Sequence, residues 1–240
     1  MANQPRRVDC IIPFYNEGER VVHVISVLSQ VPECGRIIAV DDGSNDGIGR
    51  ILARRFPHLT LVRLSKNAGK SAAVFAGLSR AKSPDIFLLD ADSERLFPAT
   101  LSSAIHAYEE SGIDSLILRK HGPWWIRPAD SLFRNYVVQA GERLMRRNDL
   151  SAVRTLHPVG YQLEVAINQY LMEQHKKCAW MYVPIRNPHK VEKYGWREGW
   201  RRDLLMEKSI TEYLGPRKQI QQILFFCRHQ ISTNSSNKIK

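Results

Sequence analysis

The stretch from Ile86 to Glu94, IFLLDADSE, joins an apolar run to the two carboxylates of Asp90 and Asp92. The run Ile86 to Leu89 predicts a short buried strand, so both carboxylates follow its carboxyl end, the edge where open α/β sheets bind ligands. Two neighbouring carboxylates repel each other unless a cation offsets their charge, and oxygen ligands suit Mg²⁺ or Mn²⁺. The stretch predicts a metal-assisted diphosphate site, with a solvated, helix-capping loop as the alternative.

Three strands are predicted before this stretch, and a helix precedes each later strand. The predicted strands are Val8 to Ile12, Arg36 to Val40 and Leu59 to Leu64. The intervening segments have apolar residues at helical spacing, as at Val21, Val22, Ile25 and Leu28, and a third helix is predicted from Lys70 to about Ala81. Strands and helices that alternate at this spacing predict an α/β fold with a mostly parallel central sheet flanked by helices.

Polar loops follow the first two strands as well. The first is Tyr15-Asn16-Glu17, and the second is a dense turn from Asp41 to Gly47 in which Asp46 is expected to cap the next helix. Acceptors in these loops could hold a base and a ribose while the carboxylates after the fourth strand hold a metal. One of Asp41 and Asp42 is expected to stabilise the turn. The layout is that of a nucleotide-sugar site.

Neither common glycine-rich nucleotide fingerprint is present. A P-loop would need a glycine five positions before Gly69, where the chain has Leu64. No G-x-G-x-x-G follows the first strand. The predicted nucleotide site therefore depends on carboxylates and turns.

Composition limits the other classes of protein. The chain has 240 residues, 43% of them hydrophobic, which is ordinary for one globular domain with a small appendage. It has no apolar run long enough to span a bilayer and no signal-peptide pattern, so a cytoplasmic location is expected. Four scattered cysteines indicate neither a zinc site nor a disulfide framework.

The positive charge is confined to the second half. Residues 1–118 have 13 Lys and Arg against 14 Asp and Glu, whereas residues 119–240 have 22 against 10. Such a surface suits an anionic membrane or an acidic substrate. No nucleic-acid-reading motif accompanies it, so nucleic acid is not expected as a partner.

Four ordered motifs in the first 95 residues resemble those of family 2 glycosyltransferases with the GT-A fold. They are Ile12-Pro13-Phe14-Tyr15-Asn16-Glu17, Asp41-Asp42-Gly43-Ser44-Asn45-Asp46-Gly47, Asn67-Ala68-Gly69-Lys70 with Ala73 and Gly77, and Asp90-Ala91-Asp92. The resemblance implies transfer of a sugar from a UDP-, GDP- or dTDP-sugar, with Mg²⁺ or Mn²⁺ and with inversion at the anomeric carbon. It also implies a set of donor-binding residues, Pro13, Tyr15, Glu17, Asp41, Asp42, Lys70, Asp90 and Ala91.

The second half resembles the same family in three segments. Ala140 to Arg143 resembles a segment near the donor sugar, where Arg143 either pairs with a phosphate or braces the site. Gly160 to Val165 resembles the segment with the catalytic base, which here is Glu164; a polar position on a helix is the alternative. A closing loop with His189 resembles one in which a histidine joins the metal, so Asp92, Asp90 and His189 are the implied metal ligands. The Lys70 side chain is expected either to contact the phosphates or to be exposed to solvent.

The resemblance leaves the acceptor open between a lipid, a polyprenyl phosphate and a saccharide. Polyprenyl-phosphate sugar transferases are the nearest branch, but Ser93-Glu94-Arg95 departs from their pattern and the membrane-spanning segments of many members are missing. A phosphate acceptor is already ionised and would need no base. The rival from another class is a non-catalytic binding protein built on a decayed glycosyltransferase domain, and a nucleotidyltransferase is a weaker alternative.

The C-terminal part is predicted to form a helical extension. The expected divisions are a catalytic domain over residues 1–195, amphipathic helices over 196–231 and a disordered tail over 232–240. Trp196 and Trp200 interleave with arginines, a pattern that suits the inner face of an anionic membrane where a lipid acceptor is presented. Packing on the domain, or on the second subunit of a homodimer, is the slightly favoured alternative.

Overall fold

The structure is a computed structural model that describes residues 7–120, 140–188, 192, 195–226 and 229–231. His189 and the predicted tail over 232–240 lie outside the described residues. Its elements follow in this order: β1 Val8–Phe14, α1 Glu19–Leu28, β2 Cys34–Asp41, α2 Ile48–Arg55, β3 Thr60–Arg63, α3 Lys70–Leu78, β4 Asp85–Leu88, α4 Pro98–Ser111, β5 Ser115–Lys120, β6 Arg143–Arg146, α5 Arg147–Val153, α6 Leu163–Glu173, β7 Cys178–Val183, α7 Trp196–Leu214 and α8 Pro216–Phe226.

The described strands form one seven-stranded sheet in the order β3-β2-β1-β4-β6-β5-β7. Strand β6 is antiparallel to β4 and β5, and the other paired strands run parallel. The prediction of a mostly parallel α/β sheet is therefore confirmed. Because β1, β2 and β4 are parallel neighbours or next neighbours, the loops that follow them meet at one edge, and that edge contains the candidate site.

Helices cover both faces of the sheet. On one face Val21, Ile25 and Leu28 of α1 pack with α4 into a buried cluster, which confirms the helix predicted from their spacing. On the other face α3, α5 and α6 pack against the sheet. The predicted cap of α2 is wrong by one residue, because Gly47, in the left-handed conformation, is the N-cap. Asp46 precedes it, and its side chain accepts a 3.1 Å hydrogen bond from the backbone N–H of Ile48.

Helix α3 lies close to the sheet because Gly77 faces β1 and β2. A Cβ atom at Gly77 would lie 2.6 Å from a methyl carbon of Ile11, so only glycine permits this approach. The helix ends at Leu78, earlier than the predicted end near Ala81. A turn follows instead, in which Arg80 and Ala81 donate backbone hydrogen bonds to Gly77 and Leu78.

Helices α7 and α8 pack on the domain through one face. Ile210 and Leu214 of α7 are buried with Val165 of α6, and Gln222 of α8 donates a 2.9 Å hydrogen bond to the backbone oxygen of Val165. The other face of α7 exposes Trp196, Trp200 and Leu204. Among the described residues, each helix is either too short or too polar to cross a bilayer.

Candidate active site

The loops after β1 and β2 are tied to each other at the carboxyl edge of the sheet. The backbone N–H of Asn16 donates to the Ser44 hydroxyl at 3.0 Å, and the Asn16 side chain accepts from the backbone of Asn45 at 3.0 Å. Tyr15 is half exposed in this loop, and Glu17 lies 3.5 Å from the guanidinium of Arg20. The first loop is thus held in place while its aromatic ring faces solvent.

Both carboxylates after β2 stabilise turns. Asp41 accepts a 2.7 Å hydrogen bond from the backbone N–H of Ser44. Asp42 accepts from the backbone N–H groups of Ala68 and Gly69 at 2.7 and 2.8 Å. Both side chains are almost fully buried. Asp42 therefore fixes the loop from which α3 begins, one residue before Lys70.

Lys70 joins two carboxylates that are distant in the sequence. Its Nζ lies 2.6 Å from Oδ1 of Asp90 and 2.7 Å from Oε1 of Glu164. Burial alone would lower the pKa of Lys70, but the charges of Asp90 and Glu164 outweigh it and raise that pKa above its ordinary value. Burial would likewise raise the pKa of Asp90, and Lys70 and Lys120 hold it below its usual range. The three groups form one cluster in which Lys70 pairs with both carboxylates.

Local structure explains how Lys70 and Glu164 meet. Lys70 begins α3, and Glu164 is in the first turn of α6. The hydroxyl of Ser71 donates to the backbone oxygen of Gly160 at 3.2 Å, which ties the start of α3 to the 3₁₀ turn before α6. The N-terminal ends of both helices therefore face the same point, where their dipoles favour negative charge.

Gly141 lies against this cluster without a side chain. A Cβ atom there would stand 2.6 Å from Nζ of Lys70 and 3.0 Å from each carboxylate oxygen of Asp90. A small cavity beside these groups is lined by Pro13, Lys70, Asp90, Gly141, Arg143 and Glu164 together with apolar residues. The structure thus brings five of the sequence-predicted site residues around one cavity.

Arg143 is a buried residue that lines the cavity. It is fully buried, and its guanidinium donates to the side-chain oxygen of Asn168 at 2.8 Å and to the backbone oxygen of Ala140 at 2.7 Å. These contacts match the bracing alternative considered for Arg143. The same contact with Ala140 holds the backbone that leads into Gly141.

Asp92 is the second carboxylate of the Asp90-Ala91-Asp92 motif, and Ala91 between the two in sequence is buried. The side-chain nitrogen of Asn187 links the two carboxylates, at 3.0 Å from Asp92 and 3.3 Å from Asp90. It also lies 3.2 Å from Glu142, a buried carboxylate that Lys120 contacts through an ion pair. Burial and the charge of Asp90 raise the pKa of Glu142 to about 7 despite Lys120.

The donor set fits a hard divalent cation. Asp90 and Asp92 offer carboxylate oxygens, and Oε2 of the neighbouring Glu142 is buried without a hydrogen-bond partner. Oδ1 of Asn187, whose amide nitrogen faces these carboxylates, is also buried without a partner. Mg²⁺ and Mn²⁺ prefer such all-oxygen surroundings. Within the described ranges, however, no group of three or more His, Cys, Asp or Glu side chains is arranged to hold an ion. The described residues would share the ion with oxygens of a bound phosphate, as is usual for Mg²⁺.

Comparison with known proteins identifies the family. The model of the family described as "Glycosyl transferase family 2" matches residues 9–152. The chain belongs to glycosyl transferase family 2. The match includes Lys70, Asp90, Asp92 and Arg143, and Glu164 lies beyond its end.

Several named proteins are relatives of this family 2 chain. "Uncharacterized glycosyltransferase YaiP" of Escherichia coli is 36% identical over 89 residues, which are 36% of this chain and 22% of that protein. "Undecaprenyl-phosphate 4-deoxy-4-formamido-L-arabinose transferase" of Yersinia pestis is 33% identical over 157 residues, or 60% of this chain and 45% of that protein. The chain spans less than half the length of these relatives.

Solved structures show the same fold. Glucosyl-3-phosphoglycerate synthase from Mycobacterium tuberculosis, in complex with Mn²⁺, UDP and glucosyl-3-phosphoglycerate, matches with a TM-score of 0.67 and 17% identity. The match covers 87% of this chain and 78% of that one. A complex of the same synthase with Mg²⁺ and UDP matches with a TM-score of 0.64 and 16% identity, over 91% and 79% of the two chains. The prediction of a GT-A fold is confirmed.

Proposed function

We propose that this family 2 chain transfers a sugar from a nucleoside diphosphate sugar to an acceptor hydroxyl, with inversion at the anomeric carbon. The observation that carries the proposal is the cluster of Lys70, Asp90 and Glu164 beside Asp92 at the carboxyl end of β4. One cation and three carboxylates grouped at this edge of the sheet can bind a diphosphate together with its metal ion and activate an acceptor. A solvated, helix-capping loop would not need such a cluster.

The first chemical task is to stabilise the leaving diphosphate. Negative charge grows on its oxygens as the bond to the sugar breaks, and Lys70 at the N-terminus of α3 lies where it can offset that charge. Asp90 and Asp92 would hold Mg²⁺ or Mn²⁺. When bound, that ion supplies further positive charge to the diphosphate.

The second task is to remove the acceptor's proton. A hydroxyl must lose its proton as it attacks, and Glu164 offers a carboxylate to accept it. Its side chain lines the cavity and is held by Lys70 at 2.7 Å, so its position relative to the donor site is fixed. An acceptor that attacks the face of the sugar opposite to the leaving diphosphate would invert the anomeric carbon.

A polyprenyl phosphate is the alternative acceptor. The observation that favours it is the similarity to relatives such as the Yersinia pestis protein, which is named as an undecaprenyl-phosphate sugar transferase. A phosphate acceptor attacks as an ion and would make Glu164 dispensable. The kcat of a Glu164→Gln variant therefore distinguishes the two acceptors.

Donor binding tests the proposed function directly. We expect isothermal titration to show binding of one nucleotide sugar among UDP-glucose, UDP-N-acetylglucosamine, GDP-mannose and dTDP-sugars, in Mn²⁺ but not in chelator. UDP-glucose comes first because related solved complexes contain it. Asp92→Ala should weaken the metal-dependent binding by more than about tenfold, since even outer-shell changes at metal sites have effects of that size.

Asp203→Ala, on α7 and outside the cluster, is the control for that titration and should bind like the wild type. Equal binding in Mn²⁺ and in chelator would contradict the metal dependence. If no donor binds, the non-catalytic binding protein becomes the better explanation. Against that alternative stands the survival of Lys70, Asp90, Asp92 and Glu164 in one cluster.

We also propose that the exposed face of α7 rests on the inner surface of an anionic membrane. Trp196, Trp200 and Leu204 recur at intervals of four residues and are between about half and three-quarters exposed. Arg197 and Arg201 lie next to the tryptophans on this solvent-facing side, although Arg201 is paired with Glu198 at 2.7 Å. Tryptophan and arginine together suit the headgroup region, where a lipid acceptor would be presented.

Vesicle cosedimentation tests this surface. The wild type should bind vesicles that contain phosphatidylglycerol and not vesicles of phosphatidylcholine alone. Trp196→Ser with Trp200→Ser should weaken binding about tenfold or more, since burying each large apolar side chain contributes about 1.5–3 kcal/mol. Ile51→Ser, at an exposed apolar position on α2, is the control. Unchanged binding in the double variant would contradict the proposal, and a concentration-dependent dimer lost in the same variant would assign the face to a homodimer.

A further inference from the structure

The amide of Asn187 occupies an unusual position among carboxylates. Its nitrogen faces three acidic side chains at once, with Oδ1 of Asp92 at 3.0 Å, Oε1 of Glu142 at 3.2 Å and Oδ2 of Asp90 at 3.3 Å. An amide nitrogen has two hydrogens for these three acceptors. The amide therefore lies where three carboxylates converge, and it cannot donate a separate hydrogen bond to each of them.

The other end of the same amide is unsatisfied. Oδ1 of Asn187 is buried and has no hydrogen-bond partner. Leaving a buried acceptor unpaired is unfavourable, and native proteins rarely do so without a functional reason. The position is not set by a loose loop, because the preceding residue, Arg186, exchanges two backbone hydrogen bonds with Glu94 at 2.6 and 3.0 Å. Asn187 is thus held next to Asp92 with its oxygen available.

We infer that Asn187 is a further protein ligand of the divalent ion beside Asp90 and Asp92, through its side-chain oxygen. The inference depends on the proposed function, because it places the ion at Asp90 and Asp92. A half-turn about the last side-chain bond exchanges the nitrogen and oxygen of the amide. The oxygen then faces the carboxylates of Asp90 and Asp92, and the nitrogen leaves a place in which it repels a cation.

The observed spacings suit this role. Neighbouring oxygen ligands of an octahedral Mg²⁺ lie about 3 Å apart, because each metal–oxygen bond is about 2.1 Å long. The amide nitrogen lies 3.0 and 3.3 Å from the two aspartate oxygens, so the exchanged oxygen would stand at about the separation of two neighbouring ligands. Glu142 is engaged by Lys120 and accepts a hydrogen bond from Ser93 at 3.2 Å. Beyond these two carboxylates and one amide oxygen, the remaining places are open to phosphate oxygens, water and ligands outside the described residues.

Binding of Mn²⁺ alone tests the inference without any assay of activity. The free-ion signal in electron paramagnetic resonance would be followed as Mn²⁺ is added to the wild type, Asn187→Ala, Asn187→Asp and Asp92→Ala. We expect Asn187→Ala to weaken binding by at least about tenfold, and Asn187→Asp to bind as tightly as the wild type or more tightly. Arg186→Ala is the matched control, since its half-exposed side chain pairs with Glu192 outside the cluster.

A purely bracing amide predicts the opposite sign. If Asn187 only compensates the carboxylates when no ion is bound, its removal would leave Mn²⁺ binding unchanged or make it tighter, and either result overturns the inference. If the wild type binds no Mn²⁺, or if Asp92→Ala binds it equally well, the proposed metal site itself fails. Should Asn187→Ala not fold, Asn187→Ser keeps the small polar volume, and the comparison with Asn187→Asp still gives the sign.

Discussion

Replacing Glu164 with glutamine should lower kcat by about 10²–10⁴-fold, the usual contribution of a general base. Glutamine keeps the shape of the side chain and cannot take a proton from an attacking hydroxyl. Donor affinity should change much less, because Lys70 retains its 2.6 Å contact with Asp90. Steady-state kinetics with the acceptor, together with titration of the donor, separates the two quantities.

Glu173→Gln is a suitable control for this variant. Glu173 ends the same helix, α6, and lies far along it from the cavity, where it pairs with Lys218 at 3.8 Å. An unchanged kcat in Glu164→Gln would remove the base from the mechanism. That result would favour an acceptor that is already ionised, and polyprenyl phosphate would then be the first to test.

The sequence was sufficient to predict the architecture because each motif has a local cause. Three sequence patterns determine structure within a few residues of where they occur. They are the apolar run before Asp90, the spacing of Val21, Ile25 and Leu28, and the turn formers after Asp41. The antiparallel strand β6 was not predicted. It has only four residues, Arg143–Arg146, two of them arginines, and its place between β4 and β5 depends on pairing across long stretches of chain.

The sequence predicted individual site residues from their chemistry and their motifs. It did not predict which residues contact one another in the folded protein. Lys70 and Glu164 are 94 positions apart, and no periodicity indicates that they share an ion pair. Glu142 was not predicted as a site residue, although it lies in the segment from Ala140 to Arg143. Its position in the site depends on its burial and on its ion pair with Lys120. Asn187 gave no signal at all, since a lone asparagine in a loop is common.

One carboxylate pair stabilises the backbone more extensively than predicted. The prediction gave a turn-stabilising role to one of Asp41 and Asp42, so that at most one of them need contact a ligand. Both accept hydrogen bonds from backbone N–H groups, of Ser44 in one case and of Ala68 and Gly69 in the other. A dense run of turn formers leaves many backbone donors to be satisfied, and adjacent carboxylates are the nearest acceptors.

Gly141→Ala should lower kcat/KM by about 10²-fold while the protein stays folded, since a displacement of about 1 Å near reacting groups can have that effect. The added methyl group would lie 2.6 Å from Nζ of Lys70, too close for both to remain. The flexible lysine tip can move, and Gly141 lies outside the left-handed backbone region, so alanine is sterically compatible with the fold. Thermal unfolding should therefore change little, whereas transfer and donor binding should weaken.

A double-mutant cycle shows whether this loss passes through Lys70. In the wild type Gly141→Ala drives Nζ away from Asp90, but in a Lys70→Ala background there is no Nζ to displace. The second alanine should then cause much less than the loss that it causes alone, which is the non-additivity expected of groups in contact. Equal losses in both backgrounds would show that the methyl group acts on Asp90 directly, whose two carboxylate oxygens would lie 3.0 Å from it. Because a Cβ atom at Gly141 fits only if the tip of Lys70 moves away, the cycle measures how much of the transfer rate depends on keeping that one ion pair intact.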